Sequence, residues 1–130
     1  MANVNLVSAT SIYAGNAGWN LTATVTATLL TVDAEKLVKI NRITCANVDG
    51  TNAADLNLYI DGLGSGASGV TTTGADATVY LAKTISVPPD STLVILDTPI
   101  YLMEGDVLKG GAGAATDLDL FISYEVFDDA

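Results

Sequence analysis

Residues 79–108 constrain the fold more than any other stretch, because short apolar runs alternate there with residues that end a strand. Pro88 and Pro89 interrupt the first run, since proline has no N–H to donate to a β ladder. Pro99 bends the chain before the third run, and the turn at Gly105 precedes the fourth. The stretch therefore predicts short strands joined by turns, at residues 79–87, 92–96, 100–103 and 107–108.

Side-chain spacing within this stretch predicts which residues face a core. Val79, Leu81, Ile85 and Val87 recur at the period of two that one face of a strand requires, and Lys83 breaks the row. Residues 92–96 are apolar almost throughout, which predicts a strand that is buried on both faces.

Three further segments alternate apolar and polar residues. Residues 21–32 place threonine at every second position, so we expect a strand with a solvated threonine face and an apolar core face. Residues 55–61 and 117–127 predict strands with one inward apolar row each. The inward rows are Leu56, Leu58 and Ile60 in the first, and Leu118, Leu120, Ile122, Tyr124 and Val126 in the second.

Residues 36–48 form another apolar segment, in which the alternation changes phase. Val38 and Ile40 share one parity, whereas Ile43 and Cys45 share the other. Such a change indicates a β-bulge near Asn41-Arg42. Cys45 is the only cysteine, so it cannot form an internal disulfide, and its apolar surroundings predict a buried, inert thiol.

Together these patterns predict an all-β fold. Thr and Val favour pleated surfaces, and Gly and Asp favour turns. About eight strands at regular spacing indicate an antiparallel two-sheet β-sandwich of jelly-roll type with little or no helix. With 130 residues and 49% hydrophobic content, residues 21–130 can build a single domain. Residues 1–20 are expected to form an N-terminal arm or edge strand.

The formal net charge is −10, which excludes the partners that carry dense negative charge. A nucleic-acid backbone and an anionic membrane surface would both be repelled. The charge indicates a solvated surface or a partner with a basic patch. The chain shows neither a secretory signal pattern nor an apolar run long enough for a transmembrane helix.

The residue types needed for catalysis are scarce. Histidine is absent, which removes the Ser-His and Cys-His mechanisms and most transition-metal sites. The glycine-rich run after Asp61 lacks the Lys-Ser/Thr of a phosphate loop. Paired carboxylates remain, at Asp117 with Asp119 and at Glu104 with Asp106, and could bind calcium or act on glycosides. A solvated surface explains them as well, so we expect no enzyme and no cofactor.

Four residues are candidates for contact with another protein. Trp19 lies in residues 14–20, a glycine-containing segment that predicts a loop, where it caps the core or reaches an interface. Phe121 and Phe127 fall on the outward row of the last strand, which indicates that this face is covered by loops or by another chain. Val70 lies in residues 62–76, a loop rich in Gly, Ser and Thr without apolar periodicity.

Residues 36–126, about two thirds of the chain, resemble small virion structural proteins of tailed bacteriophages. In that group an N-D-G turn precedes a segment with V-P, P-I and E-G-D signatures, and a final strand contains S-Y-E. The matching positions are Asn47, Asp49-Gly50, Val87-Pro88, Ser91, Pro99-Ile100, Leu102, Glu104-Gly105-Asp106 and Ser123-Tyr124-Glu125. The first 35 residues carry no such likeness.

The resemblance implies a virion component without enzymatic activity. It favours a capsid decoration (cement) protein that binds the major capsid protein on the outer surface of the capsid, with a homotrimer as the expected oligomer. A tail, head–tail adaptor or fibre-base protein is the alternative. The residues by themselves also leave a carbohydrate-binding jelly-roll module open.

Overall fold

A computed structural model of the chain describes residues 4–63 and 70–128. This part of the chain is almost entirely strand, which confirms the all-β prediction, and its only helical element is the 3-10 turn Leu6–Ser8. The strands are β1 (Ser11–Asn20), β2 (Thr28–Thr31), β3 (Lys36–Asn47), β4 (Ala54–Asp61), β5 (Val79–Val87), β6 (Thr92–Leu96), β7 (Ile100–Leu102), β8 (Val107–Ala112) and β9 (Leu118–Asp128).

The strands form two antiparallel sheets with nested pairing. The five-stranded sheet has the order β1-β9-β3-β6, with β7 also paired to β3, and the four-stranded sheet has the order β2-β8-β4-β5. The first strand thus pairs with the last, the second with the next to last, and so on inward to β4 with β5. This is the order of a jelly roll, so the predicted fold is confirmed. One of its eight strand positions is divided at Pro99 into β6 and β7.

The core lies between the two sheets. The predicted inward rows of β4 and β9 are confirmed, because Leu56, Leu58, Leu120 and Ile122 are almost fully buried. Burying each such side chain stabilises the fold by about 1.5–3 kcal/mol. Farther along β9, Tyr124 and Val126 are only partly buried and pack against the same core, as expected near its rim.

The predicted bulge in β3 is present. The pairing of β3 with β9 shifts register between Ile40 and Arg42. Because of this shift Ile40 and Ile43 both face the core, although they are three positions apart in the sequence. Cys45 is fully buried, and desolvation raises the pKa of its thiol to about 11. The prediction of a buried, inert thiol is therefore confirmed.

The strand predicted over residues 21–32 is mostly wrong, because only Thr28–Thr31 is extended. The N–H of Ala112 donates to the Thr22 carbonyl and the N–H of Gly110 donates to the Ala27 carbonyl. The five residue steps from Thr22 to Ala27 therefore lie opposite only two steps, from Gly110 to Ala112. The excess backbone loops outward and exposes both alternating rows between these two bonds.

Burial along residues 79–96 also differs from the sequence pattern. Val79 and Ile85 are exposed and Ala82 is buried, because the β4–β5 pairing shifts register twice and Thr84 has a left-handed φ of 52°. The prediction that residues 92–96 are buried on both faces is wrong, because Val94 lies on the side of β6 that points away from the other sheet and is exposed. The loop predicted over residues 14–20 is part of β1.

Candidate interaction face

The side of the five-stranded sheet that points away from the core is called the outer face here. Strand register defines it, because residues opposite each other on paired antiparallel strands share a side. Phe121 pairs with Gly18 on β1 and with Thr44 on β3, and Thr44 in turn pairs with Val94 on β6. All four therefore lie on the outer face.

Large apolar side chains remain exposed on the outer face. The most exposed are Ile12 of β1, Phe121 of β9, Val94 of β6 and Tyr101 of β7. They come from four strands, so they are spread across the width of the sheet. Phe127 lies on the same face, opposite Leu37 and Ile12, and is half-buried.

The four predicted interface residues occupy different places. Phe121 and Phe127 share the outer face, but they are six positions apart on β9, a distance of about 20 Å. Trp19 points the other way and packs partly buried against the core. It nevertheless lines, together with Phe121, a shallow groove of about 350 Å³ at one end of the sheet. Val70 is exposed in the connection between β4 and β5, two strands of the four-stranded sheet.

Ile12, Val94 and Tyr101 were missed by sequence reasoning. Each lies on an edge strand, and its side of the sheet follows from pairing with a strand far away in sequence. The local pattern held no signal for this, because residues 1–20 were expected only to form an arm or edge strand and residues 92–96 were expected to be buried on both faces. Residues 64–69 of the loop predicted over residues 62–76 lie outside the described residues.

Charged groups of both signs lie between the apolar side chains of the outer face. Lys39 Nζ lies 4.0 Å from Glu125 Oε1, and the Asn41 amide donates to the same oxygen at 3.2 Å. Near the groove, the Asn20 amide donates to Asp119 Oδ1 at 2.7 Å. Arg42 is exposed opposite Ser123. The face thus combines apolar contact area with polar groups that can orient a partner.

Of the four carboxylates in the acidic pairs proposed from the sequence, Asp119, Glu104 and Asp106 accept hydrogen bonds within the fold. Glu104 accepts a hydrogen bond from the Glu35 N–H at 2.8 Å. Asp106 is buried, and its Oδ2 accepts from the Met103 N–H at 2.8 Å. Another carboxylate, that of Asp49 between β3 and β4, accepts a hydrogen bond from the Thr51 N–H. Within residues 4–63 and 70–128, no group of three His, Cys, Asp or Glu side chains is arranged to hold a metal ion.

A second polar cluster lies on the opposite side of the molecule, on the outside of the four-stranded sheet. The rings of Tyr59 and Tyr80 lie 4.9 Å apart, and Lys83 lies 5.2 Å from the Tyr80 ring centre. Asp61 accepts hydrogen bonds from Thr78 and from Lys109. These bonds, the one from Thr78 foremost, lower the pKa of Asp61 to about 2.

Comparison with known protein families, curated proteins and solved structures finds no match to this chain. The likeness to phage virion proteins therefore stays a prediction. Among the described residues, no helix has the length and apolar character needed to span a membrane.

Proposed function

We propose that this protein is a structural component of a phage virion, and that it decorates the outside of the head shell by binding the major capsid protein. The observation that carries the proposal is the outer face, where apolar side chains from several strands stay exposed on a rigid sheet. Aromatic and aliphatic side chains that share one face with polar groups can supply the contacts of a protein–protein interface. The resemblance of residues 36–126 supplies the identity of the partner.

The charge of the molecule supports a position on the capsid exterior. A net charge of −10 disfavours contact with packaged DNA and costs nothing on the outer surface of a shell. The mixed charges of the outer face, among them Lys39, Arg42 and Glu125, supply polar contacts around the apolar ones. Aromatic and arginine side chains commonly contribute most of the binding energy at such surfaces.

Binding of purified protein to undecorated capsids tests the proposal, and the chain offers matched control variants. Val94 and Tyr101 on the outer face are 47% and 44% exposed, and Val79 and Tyr80 on β5 are both 46% exposed. We expect Val94→Ala with Tyr101→Ala to weaken co-sedimentation with capsids at least tenfold. Val79→Ala with Tyr80→Ala should leave it nearly unchanged. Equal effects of the two pairs, or no binding by the wild type, would contradict the proposal.

A tail, head–tail adaptor or fibre-base position is the alternative within the virion. Copy number distinguishes the two positions, because a shell protein is present in hundreds of copies and a tail-axis protein in about a dozen. Quantitative staining of purified particles measures this number, and labelled protein would cover the shell or collect at one vertex. Three-fold association is implied by the resemblance alone. The mass of the purified protein in solution tests it.

A carbohydrate-binding function is the second candidate, and one observation favours it. Tyr80 presents an exposed ring beside Lys83 and close to the polar groups of Asp61 and Thr78, and exposed aromatic rings next to hydrogen-bonding groups suit sugar rings. A glycan array tests this function. Binding that Tyr80→Ala abolishes would support it, whereas an array without signal would remove it.

A further inference from the structure

The open edges of the two sheets differ in how well they are protected against pairing with another chain. On the four-stranded sheet, β2 has four residues and a register shift. The other edge of that sheet is β5, whose pairing with β4 has two register shifts. This strand also contains Lys83 and Thr84, and Thr84 has a left-handed φ. On the five-stranded sheet, Pro99 separates the short strands β6 and β7. Short length, lysine, proline and bulges are the features that prevent edge pairing.

Strand β1 has none of these protective features. It pairs with β9 over ten consecutive residues, from Ser11 to Asn20, without a register shift. It contains no charged residue and no proline. Two of its large apolar side chains, Ile12 and Tyr13, are more than half exposed. A long, regular and uncharged edge of this kind is a template for another strand.

We propose that β1 pairs antiparallel with β1 of a second copy of this chain, across a two-fold axis at Asn16. The two five-stranded sheets then form one continuous sheet. A two-fold axis perpendicular to a sheet keeps every side chain on its own side, so only residues of equal parity face each other. With the axis at Asn16, Tyr13 faces Trp19 of the other copy, and this pair occurs twice.

The side chains of β1 favour this register. Ala14 faces Gly18, so small residues meet on either side of the axis, and the two Asn16 amides can hydrogen-bond to each other. Aromatic cross-strand pairs such as Tyr13 with Trp19 stabilise antiparallel strands. If the axis lay at Gly15 instead, Tyr13 would face Ala17 and the aromatic pairs would be lost.

The match of β1 with itself identifies a second copy as the occupant, and the charge distribution permits the contact. The chain carries a net charge of −10, so most surfaces of two copies repel each other. The uncharged β1 is a surface on which two copies can meet without opposing like charges. A charged strand from another protein would find no counter-charge on β1. The inference does not depend on the capsid proposal, and a two-fold pair is a geometry different from the homotrimer that the resemblance implies.

Sedimentation over a range of protein concentrations tests the pairing. We expect a species of twice the 13.3 kDa chain mass. Asn16→Lys places two like charges opposite each other at the axis and should raise the dimer dissociation constant at least tenfold. Ser86→Lys is the matched control, since it adds the same charge at an exposed position of β5, and it should leave the dimer intact. Circular dichroism verifies that both variants fold.

Disulfide trapping tests the register independently. Asn16→Cys brings two thiols together at the axis, so mild oxidation should give a covalent dimer. Gly18→Cys leaves the thiols several residues apart and should not cross-link, and the native Cys45 is buried. A monomer at all concentrations, a trimer, or a dimer that Asn16→Lys leaves intact would overturn the proposal.

Discussion

Asp106 is the residue whose protonation is most directly linked to folding, because its carboxyl is buried and its Oδ1 accepts no hydrogen bond within the described residues. Desolvation raises the pKa of this carboxyl, and the bond from the Met103 N–H opposes the rise. A carboxyl whose pKa is raised by folding stabilises the fold at pH values below its unfolded-state pKa, which is about 3.9. That stabilisation is lost as the pH rises through the folded-state pKa. Asn cannot titrate, so we expect the stability of Asp106→Asn relative to wild type to increase from about pH 4 to about pH 7.

Urea unfolding at several pH values measures this difference, and Asp49→Asn serves as a control of opposite sign. Hydrogen bonds from the Thr51 N–H and then from Asn52 lower the pKa of Asp49. Its contribution is therefore present above the unfolded pKa and lost as the pH falls through the folded one. Asp49→Asn should become less stable relative to wild type as the pH rises. A flat or falling difference for Asp106→Asn would contradict the assigned burial.

Cys45 gives a second prediction at the scale of one residue. Its thiol is fully buried, and burial raises its pKa to about 11, so little thiolate forms at neutral pH. We expect a thiol-specific reagent to leave the native protein unmodified over hours and to label one thiol per chain in denaturing urea. Rapid labelling of the native protein would show that the sandwich opens near β3.

At the scale of the element, β8 depends on glycine for its close approach to neighbouring backbone. A Cβ on Gly110 would collide with the Asn57 carbonyl oxygen, and one on Gly111 would lie 2.5 Å from that of Thr24. We expect Gly110→Ala and Gly111→Ala each to lower the free energy of unfolding by about 1–3 kcal/mol or more. Gly113→Ala is the control, because its nearest contact would be an ordinary 3.4 Å, and it should be close to neutral in thermal denaturation.

The sequence predicted central strands well and edge strands poorly. β4 and β9 each lie between two neighbours, so their alternating residues are buried on one side only, and Leu58 and Ile122 fall where the pattern predicts. The outer face is not covered by the other sheet, so apolar residues on that face stay exposed, as Val94 does on the edge strand β6. The outer face was predicted only at Phe121 and Phe127. Its other members depend on pairing between strands far apart in sequence, which a local pattern cannot contain.

At the scale of the whole molecule, the net charge of −10 opposes every contact between two copies. For two such chains with centres about 25 Å apart, Coulomb repulsion in water screened over about 10 Å at 0.1 M salt is on the order of 1 kcal/mol. At 1 M salt the screening length falls to about 3 Å and this repulsion vanishes. The uncharged β1 edge has no ion pairs across it that salt could weaken.

Salt should therefore tighten the β1 dimer, because it removes the repulsion and leaves the strand pairing itself unchanged. We expect the dissociation constant to fall about tenfold between 0.1 M and 1 M sodium chloride, which corresponds to about 1.4 kcal/mol. Sedimentation at the two salt concentrations measures it, with Asn16→Lys as the comparison. A dimer that dissociates as salt is added would instead be held by ion pairs, and its interface would have to lie on the charged surfaces rather than along β1.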